Sequence, residues 1–369
     1  MSTSPFADRF DRVRARMQGL GVDTLLVSVG PDLPYLTGYE AMPLERLTML
    51  VLPVDGAGTL VVPRLEAPRV VDRPEFTVRP WGESEDPIAI VSDLVGADSR
   101  LAIGDRTWAR FVVDLQAALP RATWCKASLV LGPLRARKDA AEIESLRAAA
   151  AAADRVAMAL QTGEIDLVGR TEAQVSVELG RRLRAEGHHR VNFAIVAAGP
   201  NAASPHHDPG ERVIAEGEVV LCDFGGTMFD AHGVGYCSDI TRCVHLGEPS
   251  EEIAEAYAVL LDAQQAAVAA AVVGAPCEEV DATARRIIAA AGWGEQFIHR
   301  TGHGIGIEEH EDPYIVIGND TLLEAGHAFS IEPGIYVEGK FGFRLEDIVV
   351  ASNAGPDSLN NADHDLALL

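Results

Sequence analysis

Four carboxylates stand in the C-terminal two thirds of the chain where carboxylates are costly. Asp223 follows the apolar run Val219-Val-Leu-Cys and precedes Gly225-Gly226, and Asp239 sits in Ser238-Asp239-Ile-Thr-Arg242. Glu332 follows Ala328-Phe-Ser-Ile, and Glu346 lies in Phe343-Arg344-Leu-Glu346-Asp, ahead of Ile-Val-Val. Charges placed in apolar strands must be paired or must hold a metal. Two further stretches bring imidazoles: Asn201-Ala-Ala-Ser-Pro-His206, and His299-Arg-Thr-Gly-His303-Gly-Ile-Gly followed by His310. Separate salt bridges to arginines would explain any one of these carboxylates. Four of them with a glycine-flanked histidine in one region are better explained together, by a metal cluster. Carboxylate oxygens with one imidazole suit divalent ions such as manganese, iron, cobalt or zinc. Two such ions would nearly neutralise four carboxylates. The five cysteines (Cys125, Cys222, Cys237, Cys243, Cys277) include no Cys-x-x-Cys pair, so neither a disulfide framework nor a thiolate zinc knot is supported. Cys222, next to Asp223, points to the other sheet face, whereas Cys237 and Cys243 share a face with Asp239.

The elements that must position these residues divide into two textures. Residues 1–134 alternate helix and strand signals. Phe6–Met17 reads as a helix burying Phe6, Phe10, Val13 and Met17. Thr24–Val29, Leu47–Leu52 and Leu101–Ile103 read as strands, Ile88–Val95 and Trp108–Leu119 as helices. A boundary is expected near Gly132-Pro133, giving a smaller α/β domain over 1–134 and an α+β domain over 135–369. The second opens with a long helix from Asp139 to Leu160, capped by Asp139 with Glu142, and Thr171-x-x-Gln174 opens another to about Glu186. Helices near Glu251–Val273 and Glu278–Ala290 follow. The order of a helix pair and then strands occurs twice, and it suggests helices covering one antiparallel sheet.

Composition bounds the partners. The 369 residues carry a formal net charge of −24, with 31 basic and 55 acidic side chains. Nearly all of that excess falls after residue 134, so phosphate backbones would be repelled and nucleic acid is not an expected partner. The longest apolar run, Ala266–Ala275, is ten residues of mostly alanine, too short to span a bilayer. The N-terminus is polar from the start, without the apolar core of a secretory signal, so a cytoplasmic protein is expected. Three lysines against 28 arginines read as the codon bias of a GC-rich gene.

The strings Ser-Asp239-Ile-Thr-Arg, Thr-Gly-His303-Gly-Ile-Gly, Ile-Glu332-Pro-Gly-Ile-Tyr and Arg344-Leu-Glu346-Asp resemble the dinuclear metallopeptidases with the pita-bread fold. That family includes prolidase (Xaa-Pro dipeptidase), aminopeptidase P and methionine aminopeptidase, with creatinase as a metal-free member. Residues 1–134 resemble the creatinase/prolidase N-terminal domain. The resemblance implies metal ligands Asp223, Asp239, His303, Glu332 and Glu346, with Asp239 and Glu346 bridging two ions, most simply Mn2+, with Co2+ or Zn2+ as alternatives. It implies substrate contacts from His206, His299, His310 and Arg344, and a homodimer. The other histidines (His188, His189, His207, His232, His245, His327, His364) read as surface or supporting residues, and Gly302, Gly304 and Gly306 as allowing tight turns around His303.

What the resemblance implies is hydrolysis of small peptides with proline second, by a metal-bridging hydroxide. Glu332 would carry the proton and His310 would stabilise the oxyanion. Prolidase is the first reading. Aminopeptidase P, acting on longer peptides, is the alternative, and a non-catalytic binding protein on the same scaffold a remote one. Methionine aminopeptidase does not need the N-terminal domain, and creatinase lacks the ligands. One feature departs from the family: Asp223 and Asp239 are sixteen residues apart, five more than the family's first two aspartates. Asp230, nine before Asp239, is the competing first ligand. Glycines bracket the segment, so the extra residues are placed in a hairpin loop that leaves Asp223 and Asp239 across from each other.

Overall fold

A computed structural model describes residues 5–369; Met1–Ser4, the start of the polar N-terminus, lie outside the described residues. The chain forms two compact units, one running to Arg135 and including the hairpin tip Asp230–Gly235, the other holding 136–229 and 236–369.

The first unit is built from α1 (Pro5–Leu20), β1 (Thr24–Val27), α2 (Asp32–Thr37), β2 (Met49–Pro53), β3 (Gly58–Pro63), β4 (Phe76–Trp81), α3 (Pro87–Asp93), β5 (Arg100–Ile103), α4 (Ala109–Ala118), β6 (Thr123–Lys126) and α5 (Ser128–Ala136). Phe6, Phe10, Val13 and Met17 form the buried face of α1, as their three-to-four spacing requires. The strands make one mixed sheet in the order β4-β3-β2-β1-β5-β6. It therefore has β3, β4 and β6 in addition to the three strands expected. The outer two are poor in signal: β4 carries Arg79 and Pro80, and β6 is only Thr-Trp-Cys-Lys. Gly132-Pro133 lies inside α5 rather than in a linker.

The second unit repeats one plan twice. The first half has α6 (Ala140–Gln161), α7 (Glu172–Ala185), β7 (Arg190–Ala198), β8 (Val219–Phe229), β9 (Gly235–Cys237) and β10 (Ile240–His245). The second has α8 (Glu251–Ala270), α9 (Cys277–Ala290), β11 (Gly302–Gly304), β12 (Glu311–Ile315), β13 (Ala328–Ile331), β14 (Gly334–Val337), β15 (Phe341–Arg344), β16 (Asp347–Ser352), β17 (Gly355–Ser358) and β18 (Ala367–Leu368). Both expected capping boxes are present, Asp139 with Glu142 on α6 and Thr171 with Gln174 on α7. The single antiparallel sheet expected from the sequence is instead two five-stranded sheets and a β14-β15 hairpin. One sheet runs β18-β10-β8-β7 with β9 on β8, its β10-β18 pair parallel; the other runs β12-β11-β13-β16-β17. Both carry short runs of similar apolar residues, so the sequence pattern does not show where one sheet ends.

Strand alternation in β8 sets up the site. Val220, Cys222 and Phe224 enter the core beneath α6 and α7. Val219 and Leu221 enter the core on the opposite face, and Asp223 continues that row.

Candidate metal centre

All five expected ligands line one cavity of about 460 Å³, two of them within strands and three at strand ends or breaks. Asp223 is on β8, Asp239 falls in the gap between β9 and β10, and His303 is the middle residue of β11. Glu332 follows β13, and Glu346 separates β15 from β16. The two sheets meet here: Thr241 on β10 bridges to Glu346.

Asp223 pairs with Thr241 in the β8-β10 ladder, so Asp239 is its diagonal neighbour rather than the residue across from it. The two still share a face, because they are an even number of ladder positions apart. The backbones cross closely beside them. A Cβ at Gly225 would lie 2.1 Å from the Ser238 carbonyl oxygen, so only glycine fits. Asp230 belongs to the hairpin tip Asp230–Gly235, which groups with the first compact unit. Its Oδ1 accepts from the backbone of His232 and Val234, both at 2.8 Å.

The His303 ring is oriented by its partners. Its Nδ1 donates to the Gly304 carbonyl at 3.1 Å, which leaves the lone pair on Nε2. That atom lies 3.2 Å from Glu332 Oε1 and 3.7 Å from Asp239 Oδ2. Ser330 ties the two strands together, donating to Glu332 Oε1 at 3.1 Å and accepting from the His303 amide at 3.1 Å. None of Gly302, Gly304 and Gly306 has a positive φ. Close approach, not a turn, explains the first two: a Cβ would lie 1.9 Å from Ser330 O at Gly302 and 2.3 Å from Asp312 O at Gly304.

Divalent cations fit these donors. Asp239, His303 and Glu346 offer ligand atoms all within 4.8 Å of one another. Asp223 Oδ1 is buried with no hydrogen-bond partner. Burial and the surrounding carboxylates push Asp239 and Glu346 well above the usual carboxylate range. Burial likewise raises Asp223, against the pull of Arg344. Burial also acts to raise Glu332, but His303 and Arg344 hold it down at about 2. The cation meeting these groups is Arg344, which donates to Asp223 Oδ2 through Nη2 and lies 3.8 Å from Glu332 through Nε. Its other contacts are Thr241 Oγ1 at 3.0 Å, Tyr336 at 3.0 Å and the Pro205 carbonyl at 3.2 Å.

The expected substrate-side histidines line the same cavity. His310 meets the His303 ring edge-on at 4.1 Å between centroids. Partial burial and His303 push His310 down to about 4, so at neutral pH it is a neutral imidazole. His299 has both nitrogens engaged: Nδ1 donates to Arg300 O at 2.7 Å, and Tyr336 hydroxyl donates to Nε2 at 2.9 Å. His206 lines the mouth, and so does Arg300, which stacks on Tyr314 at 4.7 Å. None of the cysteines lines the cavity, and all five are free thiols.

Several supporting residues escape a sequence reading. Glu172, fully buried, accepts from Ala198 N, Asn201 Nδ2 and His207 Nε2 at 2.9, 3.0 and 2.8 Å, and so shapes the loop bearing His206. In sequence it looks like an ordinary first-turn acid of a capped helix. Buried Arg242 donates to the Glu346 carbonyl at 2.7 Å and to Asp347 Oδ1 at 2.8 Å. His364 and Gln264 hold the other Asp347 oxygen at 2.5 and 3.1 Å. His188, His245 and His327 are buried rather than on the surface. Ser238, beside Asp239, meets His188 Nε2 at 2.8 Å.

Residues 144–353 match metallopeptidase family M24, and residues 9–137 match the creatinase/prolidase N-terminal domain. The chain is similar to the probable dipeptidase PepE of Mycobacterium tuberculosis, 43% identical over 369 residues that cover 99% of this chain and 96% of the relative. It is 36% identical to the Xaa-Pro dipeptidase of Lactobacillus helveticus over 376 residues, covering 97% of this chain and 98% of that one. The crystal structure of a recombinant prolidase from Thermococcus sibiricus superposes with a TM-score of 0.92 at 38% identity and covers 100% of both chains.

Proposed function

The chain belongs to metallopeptidase family M24, with a creatinase-type N-terminal domain before a pita-bread domain, and on that premise we propose that it is a dinuclear metal-dependent Xaa-Pro dipeptidase. The observation that carries this is the convergence of Asp239, His303 and Glu346 within 4.8 Å at a cavity that also holds Asp223 and Glu332. Asp223, Asp239, His303, Glu332 and Glu346 would hold two divalent ions, with Asp239 and Glu346 shared. Manganese is the proposed native metal, and cobalt or zinc are substitutes. Bound there, the ions would acidify a water and polarise the scissile carbonyl.

The chain's own groups do the rest. Glu332 takes up the water's proton and delivers it to the leaving nitrogen, as base and then acid. His310, neutral and facing the cavity, donates to the oxyanion as it forms. Arg344, its donors committed to Asp223, Thr241 and Tyr336, holds Asp223 in place more than it grips substrate. His299 shapes the wall through its ring, and His206 contacts the peptide from the mouth. Arg300 favours dipeptides over longer chains. Among the described residues no carboxylate pairs with it, which leaves a cation for the free carboxylate of a two-residue substrate. Proline at the second position lacks an N–H, so the site needs no acceptor there. The proposal includes a cytoplasmic homodimer as the working form.

Hydrolysis of Xaa-Pro dipeptides compared with Xaa-Pro tripeptides, in protein loaded with manganese, tests the reading. A dipeptide preference is expected. Faster cleavage of tripeptides would make the enzyme an aminopeptidase P, and cleavage of neither would remove the Xaa-Pro reading.

A further inference from the structure

Two of the three lysines, Lys126 and Lys340, are exposed. Lys138 is not: its side chain is 1% exposed, and its Nζ lies 2.7 Å from Glu311 Oε1, itself 7% exposed. A buried pair of this kind adds little stability over well-packed apolar residues, so what it positions matters more than what it contributes. Glu311 opens β12 immediately after His310. In the β11-β12 register it pairs with Gly304. The loop 305–310 runs between these two points, anchored near its start by the Ile305 amide on Ala328 O at 3.1 Å and by the Cys237 amide on Gly306 O at 2.8 Å. Above Gly306 the pair fills the available space: a Cβ there would lie 2.5 Å from Glu311 Oε1 and 2.9 Å from Lys138 Cε.

The His310 imidazole makes no hydrogen bond among the described residues; its contact is the ring of His303. Its place is therefore set by backbone, and Glu311 fixes the C-terminal side of that backbone. Lys138 is itself a firm post. Its amide donates to Gly326 O at 2.8 Å, and the next residue, Asp139, caps the 22-residue helix α6.

We propose that Lys138 is a positioning residue for His310: through Glu311 it fixes the end of the 305–310 loop, so that the imidazole stands over His303 before substrate arrives. This rests on the reading of His310 as the oxyanion donor.

The test is a double-variant cycle on manganese-loaded full-length protein: wild type, Lys138→Met, His310→Ala and the double variant. Turnover of an Xaa-Pro dipeptide, KM, bound metal and melting temperature are read for each. Lys138→Met should lower kcat roughly 10-fold to 10²-fold, with KM and bound metal nearly unchanged, as a misplaced catalytic group does. In the His310→Ala background the same change should cost almost nothing, because coupled residues do not add. Glu311→Gln should show the same coupling, and it carries the test if Lys138→Met does not fold. If His310→Ala is impaired and the Lys138 or Glu311 variant costs the same factor with and without His310, or releases metal, the positioning role is wrong while the reading of the site survives. If His310→Ala turns over like the wild type, the reading of His310 fails and takes the positioning role with it.

Discussion

Thr241 joins Glu346 twice, through a backbone bridge between the two sheets and through its hydroxyl, which donates to Glu346 Oε2 at 2.7 Å. The Thr241 hydroxyl oxygen in turn accepts from Arg344 Nε at 3.0 Å. One small side chain thus aligns a proposed bridging ligand with the guanidinium that holds Asp223. Thr241→Val keeps the shape and removes the hydroxyl. Metal affinity should fall about 10–100-fold, the usual cost of losing a group that orients a ligand, with the fold retained. A metal titration followed by calorimetry reads it, and unchanged affinity would count against Glu346 as a ligand.

Asp223 and Asp230 make opposite predictions. Asp223→Asn should destroy activity and one metal position. Asp230 accepts two backbone N–H groups in the hairpin tip, a task asparagine can also perform, so Asp230→Asn should leave activity and metal intact. Asp230→Ala should cost about 1 kcal/mol of stability and no turnover. Metal analysis of the purified variants separates these outcomes, and loss of metal from Asp230→Asn alone would reassign the first ligand.

The two histidines that meet edge-on should also part company. His310→Ala should keep both metals and lose turnover by roughly 10²-fold or more, as other lost oxyanion donors do. His303→Ala should lose metal. Metal content and kcat measured on the same preparations decide it, and the reverse pattern would exchange the two roles.

His327 predicts an acid weakness of the fold. Burial, with Lys138 and Arg137 nearby, pushes its imidazole down from 6.5 to about 4, and its Nδ1 accepts from the Glu324 amide at 3.2 Å. Between those values the unfolded chain binds the proton and the folded one does not, so stability drops as the pH falls. The contribution is complete above pH 6.5 and is lost progressively down to about 4, amounting to about 3 kcal/mol at most. Urea unfolding of wild type and His327→Gln at pH 7 and pH 5 should show the variant losing less stability on acidification. Equal losses would remove His327 as a cause.

What could be read in the sequence was local or chemically expensive. Asp139 with Glu142 and Thr171 with Gln174 announce helix starts within four residues, and a carboxylate beside Val219-Val-Leu-Cys is conspicuous because its burial needs a reason. Partnerships across long separations left no such mark. Arg242 ends a motif already noticed, yet its grip on Asp347 and the Glu346 carbonyl spans more than a hundred residues. Lys138 and Glu311 are 173 apart. Glu172 looked like a capping acid until the loop 199–210 folded over it. The alternation of β8 correctly turned Cys222 away from Asp223, but the one-position-at-a-time register could not be read, so Asp239 lies diagonal to Asp223.

The central claim is that two divalent ions held by these five side chains make the chain a dipeptidase. The most direct measurement is hydrolysis of an Xaa-Pro dipeptide by protein stripped with a chelator and then titrated with Mn2+, metal content being read at each step. Activity should be absent in the stripped protein, rise with added metal and level off near two ions per chain, and the same titration of Asp239→Ala or Glu346→Ala should stay flat. Full activity in the stripped protein would contradict the account.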